Sequence, residues 1–202
     1  MTRIISYILL LAVSWNLSQD VIQSEEILLK NGDIELPGTL SYTKSSKNLV
    51  IWIHGSGDVD RNGNQASANV KANYIKQLRD SLNKENIAFF SYDKRTSNSK
   101  NKALLKGILF EDLVADAKIA IAHFKEKKQF KDITLIGHSQ GSLVAMLASE
   151  GTDKYVSLAG PSDRIDITIV NQISGQNAQL GDVAKAHFKD CLLYTSPSPR
   201  DA

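Results

Sequence analysis

Residues 133–149 read ITLIGHSQGSLVAMLAS, and this stretch decides the predicted fold. An apolar run ends in the five residues Gly137, His138, Ser139, Gln140 and Gly141, and a second apolar run follows. The pattern predicts a buried strand, a sharp turn and a helix. In a Gly-x-Ser-x-Gly turn the serine takes a strained conformation above the sheet, and the two flanking glycines allow strand and helix to cross closely. Ser139 is therefore a candidate nucleophile. The alternative is a glycine turn without catalysis.

The segments around this turn predict an α/β fold. Residues 24–42 carry Asn-Gly between two apolar runs, which is typical of a β-hairpin. The patterns predict further strands at 48–57, 87–93 and 155–160, helices at 70–86 and 109–128, and loops at 58–69 and 94–102. A hairpin followed by alternating strands and helices indicates a mostly parallel sheet with helices on both faces. In such sheets the functional groups lie at the carboxyl ends of the strands.

An acyl-transfer serine also needs N–H donors for the oxyanion that forms during attack. The first candidate is the backbone N–H of Gln140, at the start of the predicted helix, where the helix dipole adds to it. The second is the N–H of Ser56 in HGSG (residues 54–57), where Gly55 and Gly57 let the backbone approach the nucleophile. We interpret His54 as a structural hydrogen-bonding group under this loop rather than as a catalytic base.

Taken together, these segments resemble the α/β-hydrolase superfamily over residues 25–176. The resemblance is to secreted or periplasmic bacterial hydrolases with a GSG…DRxGN loop and a YDKR strand end, which here read HGSGDVDRNGN (54–64) and SYDKR (91–95). TSNSKNK (96–102) replaces the glycines that follow YDKR in many relatives. The resemblance implies a serine hydrolase that cleaves carboxylic esters or related small acyl compounds through an acyl-enzyme on Ser139. An acyltransferase or peptidase on the same fold, or a non-catalytic α/β binding protein, are the alternatives.

The remaining triad members are expected after the last predicted strand, because α/β-hydrolases have the chain order Ser, acid, His. Residues 161–190 follow, and their apolar spacing predicts the start of a lid or cap helix. Asp163, Asp166, Asp182 and His187 have suitable chemistry but come early in the chain. We therefore expect the acid and base to be absent from this sequence, and residues 19–189 alone to be inactive.

Both ends of the sequence are set apart from the predicted hydrolase segment at 24–160. Residues 1–18 combine Arg3 with a short apolar run at 4–15, which predicts a signal peptide and export to the periplasm or the medium. A buried N-terminal strand or helix is the alternative. Residues 191–202, CLLYTSPSPRDA, match the translation of a common sequencing adapter and are expected to be an artefact. The alternative is a genuine Pro/Ser-rich tail, which would be disordered.

Composition excludes several classes of function. The net charge of +2 provides no electrostatic case for nucleic-acid binding. No apolar tract reaches the roughly 20 residues that span a bilayer. The single cysteine, Cys191, lies in the expected artefact, so it predicts nothing about the redox compartment. The sequence carries no signal for an oligomeric state.

No cofactor or metal is predicted. The segment 54–63 imitates a dinucleotide-binding loop, but Asp58 and Asp60 would repel a pyrophosphate, and Asp93 only imitates the ribose-binding acid. DVDRNGN (58–64) matches half of a calcium loop, but Asn69 occupies its twelfth position. We expect these Asp and Asn side chains to bond their own backbone, and a weakly bound cation is the alternative. His123, near the end of the second predicted helix, is expected to lie at the surface.

Overall fold

A six-stranded sheet organises residues 21–195, which are the residues that this computed structural model describes. The predicted signal peptide and residues 196–202 lie outside the described residues. The strands are β1 (Gln23–Asn31), β2 (Ile34–Tyr42), β3 (Asn48–Ile53), β4 (Asn64–Gln65), β5 (Val70–Lys71), β6 (Ala88–Tyr92), β7 (Asp132–His138) and β8 (Lys154–Leu158). The helices are α1 (Tyr74–Lys84), α2 (Phe110–Lys127), α3 (Gln140–Ala148), α4 (Ile165–Gln176) and α5 (Ala178–Thr195).

The main sheet has the strand order β1-β2-β6-β3-β7-β8. The hairpin of β1 and β2 closes at the Asn-Gly turn, and β2 pairs with β6 in antiparallel register. The strands β6, β3, β7 and β8 then run parallel. The α/β fold predicted from the sequence is confirmed, and the carboxyl ends of β3, β6 and β7 meet at one edge.

Helices cover both faces of the sheet, as the alternation within β3 requires. Leu49, Ile51 and Ile53 pack into the larger core cluster with residues of α2 and α3. Val50 and Trp52, on the opposite face, pack with Ile75 of α1. Because β3 is buried on both sides, its residues form the continuous apolar run seen in the sequence.

Two segments predicted as plain loops carry regular structure. A 3-10 helix occupies Ser99–Leu104, and the side chain of Asn98 caps it by accepting from the N–H of Lys100. Asn101 is buried and donates to the carbonyls of Glu35 and Arg95, so this segment packs on β2. The predicted loop at 58–69 contains β4, which pairs with β5. In both cases Asn side chains make bonds that hydropathy patterns do not register.

The segment predicted as the start of one lid helix contains α4 and α5, which pack against each other. They are separated at Asn177, whose backbone is extended. Several of their apolar side chains are exposed, including Ile165, Leu180 and Val183. α5 continues in backbone through Thr195, past the start of the expected artefact at 191. No helix within residues 21–195 combines the length and apolar character needed to cross a membrane.

Candidate active site

Ser139 makes the whole turn between β7 and α3. The strand ends at His138 and the helix begins at Gln140, so one residue reverses the chain direction. Ser139 has φ 53° and ψ −123°, a conformation that residues other than glycine rarely adopt. Its N–H donates to the carbonyl of Leu158 at 2.9 Å, and its carbonyl accepts from the N–H of Ser142 at 2.9 Å. The strained turn is thus bonded to β8 on one side and to α3 on the other.

The flanking glycines are required by close backbone contacts. A Cβ on Gly137 would lie 2.3 Å from the carbonyl oxygen of Gly141. A Cβ on Gly141 would lie 2.3 Å from the carbonyl oxygens of both Ile53 and His54. Since real Cβ atoms do not come this close to backbone, α3 can cross β7 and β3 here only with glycine at both positions.

The HGSG segment touches the serine. Gly55 follows the end of β3, and a Cβ on it would lie 3.4 Å from the Cβ of Ser139 and 3.2 Å from the carbonyl oxygen of His138. The carbonyl of Ser56 accepts a hydrogen bond from Nε2 of Gln65 at 3.3 Å, which ties the segment to β4. Gly57 has φ 94°. The two backbone donors named from the sequence, those of Ser56 and Gln140, therefore belong to segments that meet at Ser139.

Two histidines near the turn have other partners. His54 is 3% exposed, and its Nε2 donates to the carbonyl of Tyr92. Burial lowers the pKa of His54 from 6.5 to about 4, so the ring is neutral. The ring of His138 stacks on Trp52 with ring centroids 6.1 Å apart and also lies near Tyr74. Each ring is therefore held by contacts with residues outside the turn.

The YDKR residues connect the end of β6 to three other elements. Arg61 binds Asp93 through Nη2 at 2.8 Å and Nε at 2.9 Å, so the carboxylate that imitates a ribose-binding acid is occupied. Arg95 binds Asp116 of α2 at 2.7 Å through each of two nitrogens, and both side chains are buried. The carbonyl of Tyr92 accepts from His54, as described above. These bonds fix the position of the segment between Asp93 and Arg95.

Lys94, in the middle of this segment, is a functional candidate that the sequence reasoning missed. It is 7% exposed, and its Nζ donates to the carbonyl of Gly55 at 2.7 Å and to Oε1 of Gln140 at 3.0 Å. The position of Lys94 directly after a buried strand was visible in the sequence, and a lysine that is buried there must find hydrogen-bond acceptors. Its partners lie 39 and 46 residues away, which no local pattern indicates.

The calcium-like loop bonds to itself. Oδ1 of Asp60 accepts from the N–H groups of Asn62 and Asn64, both at 2.8 Å, and Oδ2 accepts from the side chain of Asn64 at 3.1 Å. Oδ1 of Asp58 accepts from the hydroxyl of Ser67 at 2.7 Å. Within the described part of the chain, no three His, Cys, Asp or Glu side chains are grouped closely enough to hold a metal ion.

An open groove of about 570 Å³ lies beside Gln140, the residue that follows Ser139. Its lining contains the polar residues Ser56, Lys94 and Gln140 and the apolar residues Ile108 and Leu113. The groove is therefore lined by both polar and apolar side chains.

The remaining candidates lie on helices or in the segment before α4. Asp163, Asp182 and His187 are exposed, and the ring of His187 makes an edge contact with Phe188 at 6.4 Å. Asp166 forms an ion pair with Arg164 at 3.1 Å. His123 of α2 is half-buried rather than fully exposed, and its ring packs edge-on against Phe124. Burial lowers its pKa.

Comparison with known proteins places this geometry in a family. Residues 68–175 match the family described as serine aminopeptidase, S33. No curated protein matches the chain. Among solved structures, a dienelactone hydrolase from Anabaena variabilis shares 20% identity and a TM-score of 0.55 over 72% of this chain and 66% of its own. An esterase from Pyrococcus furiosus shares 19% identity with a TM-score of 0.53 over 81% and 61%.

A third solved structure, an α/β serine hydrolase without lid from Xanthomonas campestris, shares 14% identity with a TM-score of 0.54 over 70% of this chain and 63% of its own. At these identities the similarity concerns the fold. The chain spans less than two thirds of the length of each of these three structures. The family match covers more than half of the sequence and includes the Gly-x-Ser-x-Gly turn. The chain therefore belongs to the serine aminopeptidase S33 family, within the α/β-hydrolase superfamily.

Proposed function

We propose that this chain carries the nucleophile and the oxyanion-binding groups of a serine hydrolase acting on carboxylic esters or related acyl compounds. The observation that carries the proposal is the backbone of Ser139, at φ 53° and ψ −123°, between a strand end and a helix start. A protein keeps such strain where the surrounding structure over-determines it, and functional sites are where it concentrates. The position of Gly55 against Ser139 supports it further.

In the proposed reaction, Oγ of Ser139 attacks the acyl carbon and its proton passes to a base. The carbonyl oxygen becomes an oxyanion, which the N–H groups of Gln140 and Ser56 stabilise. Attack thus forms a tetrahedral intermediate. When it collapses, the base returns the proton to the leaving alcohol, and an acyl-enzyme remains on Ser139. Attack by water on that ester then releases the acid and restores the hydroxyl.

The base and acid follow Ser139 in the chain in α/β-hydrolases, and we propose the same order here. His54 does not suit the role, because its Nε2 is bonded to Tyr92 and its pKa is lowered to about 4. His187 has the correct order but lies exposed on α5. If His187 were the base, His187→Ala would abolish ester turnover. We expect turnover in the full-length protein to survive this substitution.

Labelling of the full-length protein with a fluorophosphonate tests the proposal. We expect covalent labelling of the wild type and of Ser81→Ala, an exposed serine of α1, and none of Ser139→Ala. Turnover of p-nitrophenyl butyrate should fall in Ser139→Ala by up to about 10⁶-fold, as when a triad serine is lost. Equal labelling of wild type and Ser139→Ala would contradict the proposal.

Amide hydrolysis is the second candidate, because the matching family is described as serine aminopeptidase. Amino-acyl p-nitroanilides and p-nitrophenyl esters, compared on the same preparation, separate the two reactions. Product analysis with added alcohol or amine separates hydrolysis from acyl transfer. We expect ester hydrolysis to dominate, and kcat/KM that is higher on the anilides would favour the peptidase.

We also propose that the protein is exported, on the basis of Arg3 and the apolar run at 4–15. These residues lie outside the described part of the chain. N-terminal sequencing of protein from its native host should find a mature start within residues 15–19. A cytosolic protein that retains Met1 would contradict this.

A further inference from the structure

Lys94 is buried between the two segments that carry the proposed oxyanion donors. Its Nζ lies 2.7 Å from the carbonyl oxygen of Gly55 and 3.0 Å from Oε1 of Gln140. Burial of an ammonium group is costly unless it is bonded, and two of its three donors are used here. The bonds join the segment after β3 to the start of α3, which approach each other at Ser139.

The bond from Lys94 to the Gly55 carbonyl also fixes the direction of the Ser56 N–H. The carbonyl of Gly55 and the N–H of Ser56 belong to one planar trans peptide unit, so they point in opposite directions. An ammonium held on the carbonyl therefore sets the direction of the N–H, and it polarises the N–H through the peptide group. Gly55 forms one end of this unit and resists rotation little, so a bond to its carbonyl limits the rotation of the whole unit.

The bond to Gln140 acts on the other donor. Gln140 is the first residue of α3, so its N–H has no carbonyl acceptor within the helix. Lys94 holds the side chain of the same residue. One ammonium group thus links the two residues that carry the N–H groups, and it places a positive charge on the carbonyl side of the Gly55–Ser56 peptide.

We propose that Lys94 is a positioning residue that aligns the N–H groups of Ser56 and Gln140 and adds its positive charge to the oxyanion hole. This inference rests on the proposed function, because it requires that Ser139 forms an oxyanion intermediate. The interaction strengthens as negative charge develops, so it lowers the barrier more than it improves substrate binding. Loss of Lys94 should therefore lower kcat and leave KM nearly unchanged.

Several charged groups surround Lys94. Burial lowers the pKa of Lys94 from 10.5 to about 8, and the carboxylate of Asp58 partly opposes this effect. His54, which follows β3, and Asp116 of α2 line a small cavity beside it. His54 is neutral and Asp116 is paired with Arg95. Asp93, the preceding residue, is paired with Arg61. Asp58 is thus the anion that faces Lys94 without an Arg partner of its own among these groups.

The lowered pKa gives a signature in the pH profile. Lys94 is charged below about pH 8 and loses its proton as the pH rises through that value. We expect kcat of the wild type to fall across this range, because the positive charge on the Gly55 carbonyl disappears. This fall is the alkaline limb of the pH profile. A histidine base produces the acid limb instead, since the histidine must be unprotonated to act and its protonation lowers the rate at acid pH.

Steady-state kinetics on full-length Lys94→Met and Lys94→Arg test the inference, with p-nitrophenyl butyrate as substrate. Removal of one oxyanion donor costs about 10²–10³-fold in kcat, and misalignment of two donors should cost roughly 10–100-fold. We expect this loss in Lys94→Met, a KM within about twofold of the wild type, and no alkaline limb near pH 8. Lys94→Arg keeps the charge, so it should recover part of kcat and also lack that limb.

Lys118→Met is the matched control. Lys118 is exposed on α2 and lines a surface pocket with Ala148, which is at the opposite end of α3 from Gln140. This variant should keep the kcat and the pH profile of the wild type. Thermal unfolding of every variant shows whether a loss of activity reflects a loss of folding.

The outcomes separate this inference from the proposed function. Activity or labelling that does not depend on Ser139 would overturn the proposed function, and the role of Lys94 with it. Activity that depends on Ser139 but has an unchanged kcat and alkaline limb in Lys94→Met would overturn the Lys94 inference alone. If Lys94→Met does not fold, the pH profiles of the wild type and Lys94→Arg test the inference instead. The same fall in kcat near pH 8 in both proteins would overturn the Lys94 inference.

Discussion

Arg95 and Asp116 form a buried bidentate ion pair that joins the segment after β6 to α2. Both nitrogen–oxygen distances are 2.7 Å, and the two residues are 4% and 2% exposed. Asp116 also accepts from the side chain of Asn31 at 2.8 Å. The pair lies one residue from Lys94, so the position of the proposed oxyanion hole depends on it.

Removal of one partner should destabilise the protein strongly. Asp116→Ala leaves the Arg95 guanidinium buried without its carboxylate, and we expect the free energy of unfolding to fall by about 3–5 kcal/mol. Arg95→Met combined with Asp116→Leu should recover much of this loss, because apolar groups of similar size need no partner. Denaturant unfolding measures all three proteins.

The exposed pair of Lys76 and Asp80 is the control for that comparison. Its atoms lie 2.6 Å apart on the surface of α1. Asp80→Ala should change the free energy of unfolding by only about 0.5 kcal/mol, since exposed i, i+4 pairs contribute little. A loss in Asp116→Ala as small as that in Asp80→Ala would show that the buried pair is not structurally important.

The close backbone contact at Gly141 gives a second prediction. Gly141→Ala would place its Cβ 2.3 Å from the carbonyl oxygens of Ile53 and His54, neither of which can rotate away. We expect a loss of about 3 kcal/mol or more in unfolding free energy. Labelling at Ser139 should fall with it, since α3 must shift to relieve the contact.

Gly175→Ala is the matched substitution. Gly175 lies within α4, and a Cβ on it would meet nothing within 4 Å. Alanine favours the helix over glycine by up to about 1 kcal/mol, so this variant should be neutral or slightly stabilised. Equal effects of the two substitutions on the midpoint of thermal unfolding would contradict the steric argument.

Local patterns predicted the elements that depend on local chemistry. The Asn-Gly turn predicted the hairpin of β1 and β2, and the apolar run at 133–136 predicted β7. The HGSG and GHSQG segments were predicted to meet because the carboxyl ends of parallel strands share one edge of a sheet. The contact of Gly55 with Ser139 is consistent with that reasoning.

Long-range side-chain contacts could not be predicted in the same way. YDKR was recognisable as a motif, but the partners of Asp93, Lys94 and Arg95 depend on which loops lie beside β6. The 3-10 helix at Ser99–Leu104 was missed because Asn98 and Asn101, rather than an apolar pattern, stabilise it. Polar side chains that bond across the fold leave no periodic signal.

The buried ring of His54 predicts loss of stability in acid. Its pKa is lowered to about 4 in the folded protein, against 6.5 for the ordinary group, so the unfolded chain binds more protons between these values. The free energy of unfolding should therefore fall as the pH drops from 6.5 towards 4, by about 3 kcal/mol in total from this residue. Well above pH 6.5, where neither the folded nor the unfolded state binds the proton, the residue should contribute no pH dependence.

His54→Gln isolates that contribution. An amide can still donate to the carbonyl of Tyr92 but does not titrate in this range. Unfolding measured across pH 4–7 should show a smaller slope in the variant than in the wild type. Identical slopes would mean that His54 is not buried in its neutral form.

The loop at 58–64 permits a direct test of a self-bonded loop against a calcium site. Three hydrogen bonds from Asn62 and Asn64 converge on the Asp60 carboxylate. Asp60→Ala should therefore cost about 1–3 kcal/mol of unfolding free energy, because these donors lose their acceptor. Glu126→Ala removes an exposed carboxylate of α2 and should cost almost nothing.

Calcium should have no effect if the carboxylates of the loop bond only to the loop itself. About 10 mM calcium, above the ~10⁻⁴–10⁻³ M range of weak sites, should then leave the unfolding midpoint unchanged in the wild type and in both variants. A saturable rise in the wild type, worth about 1.4 kcal/mol at tenfold the Kd and lost in Asp60→Ala, would instead identify a cation site.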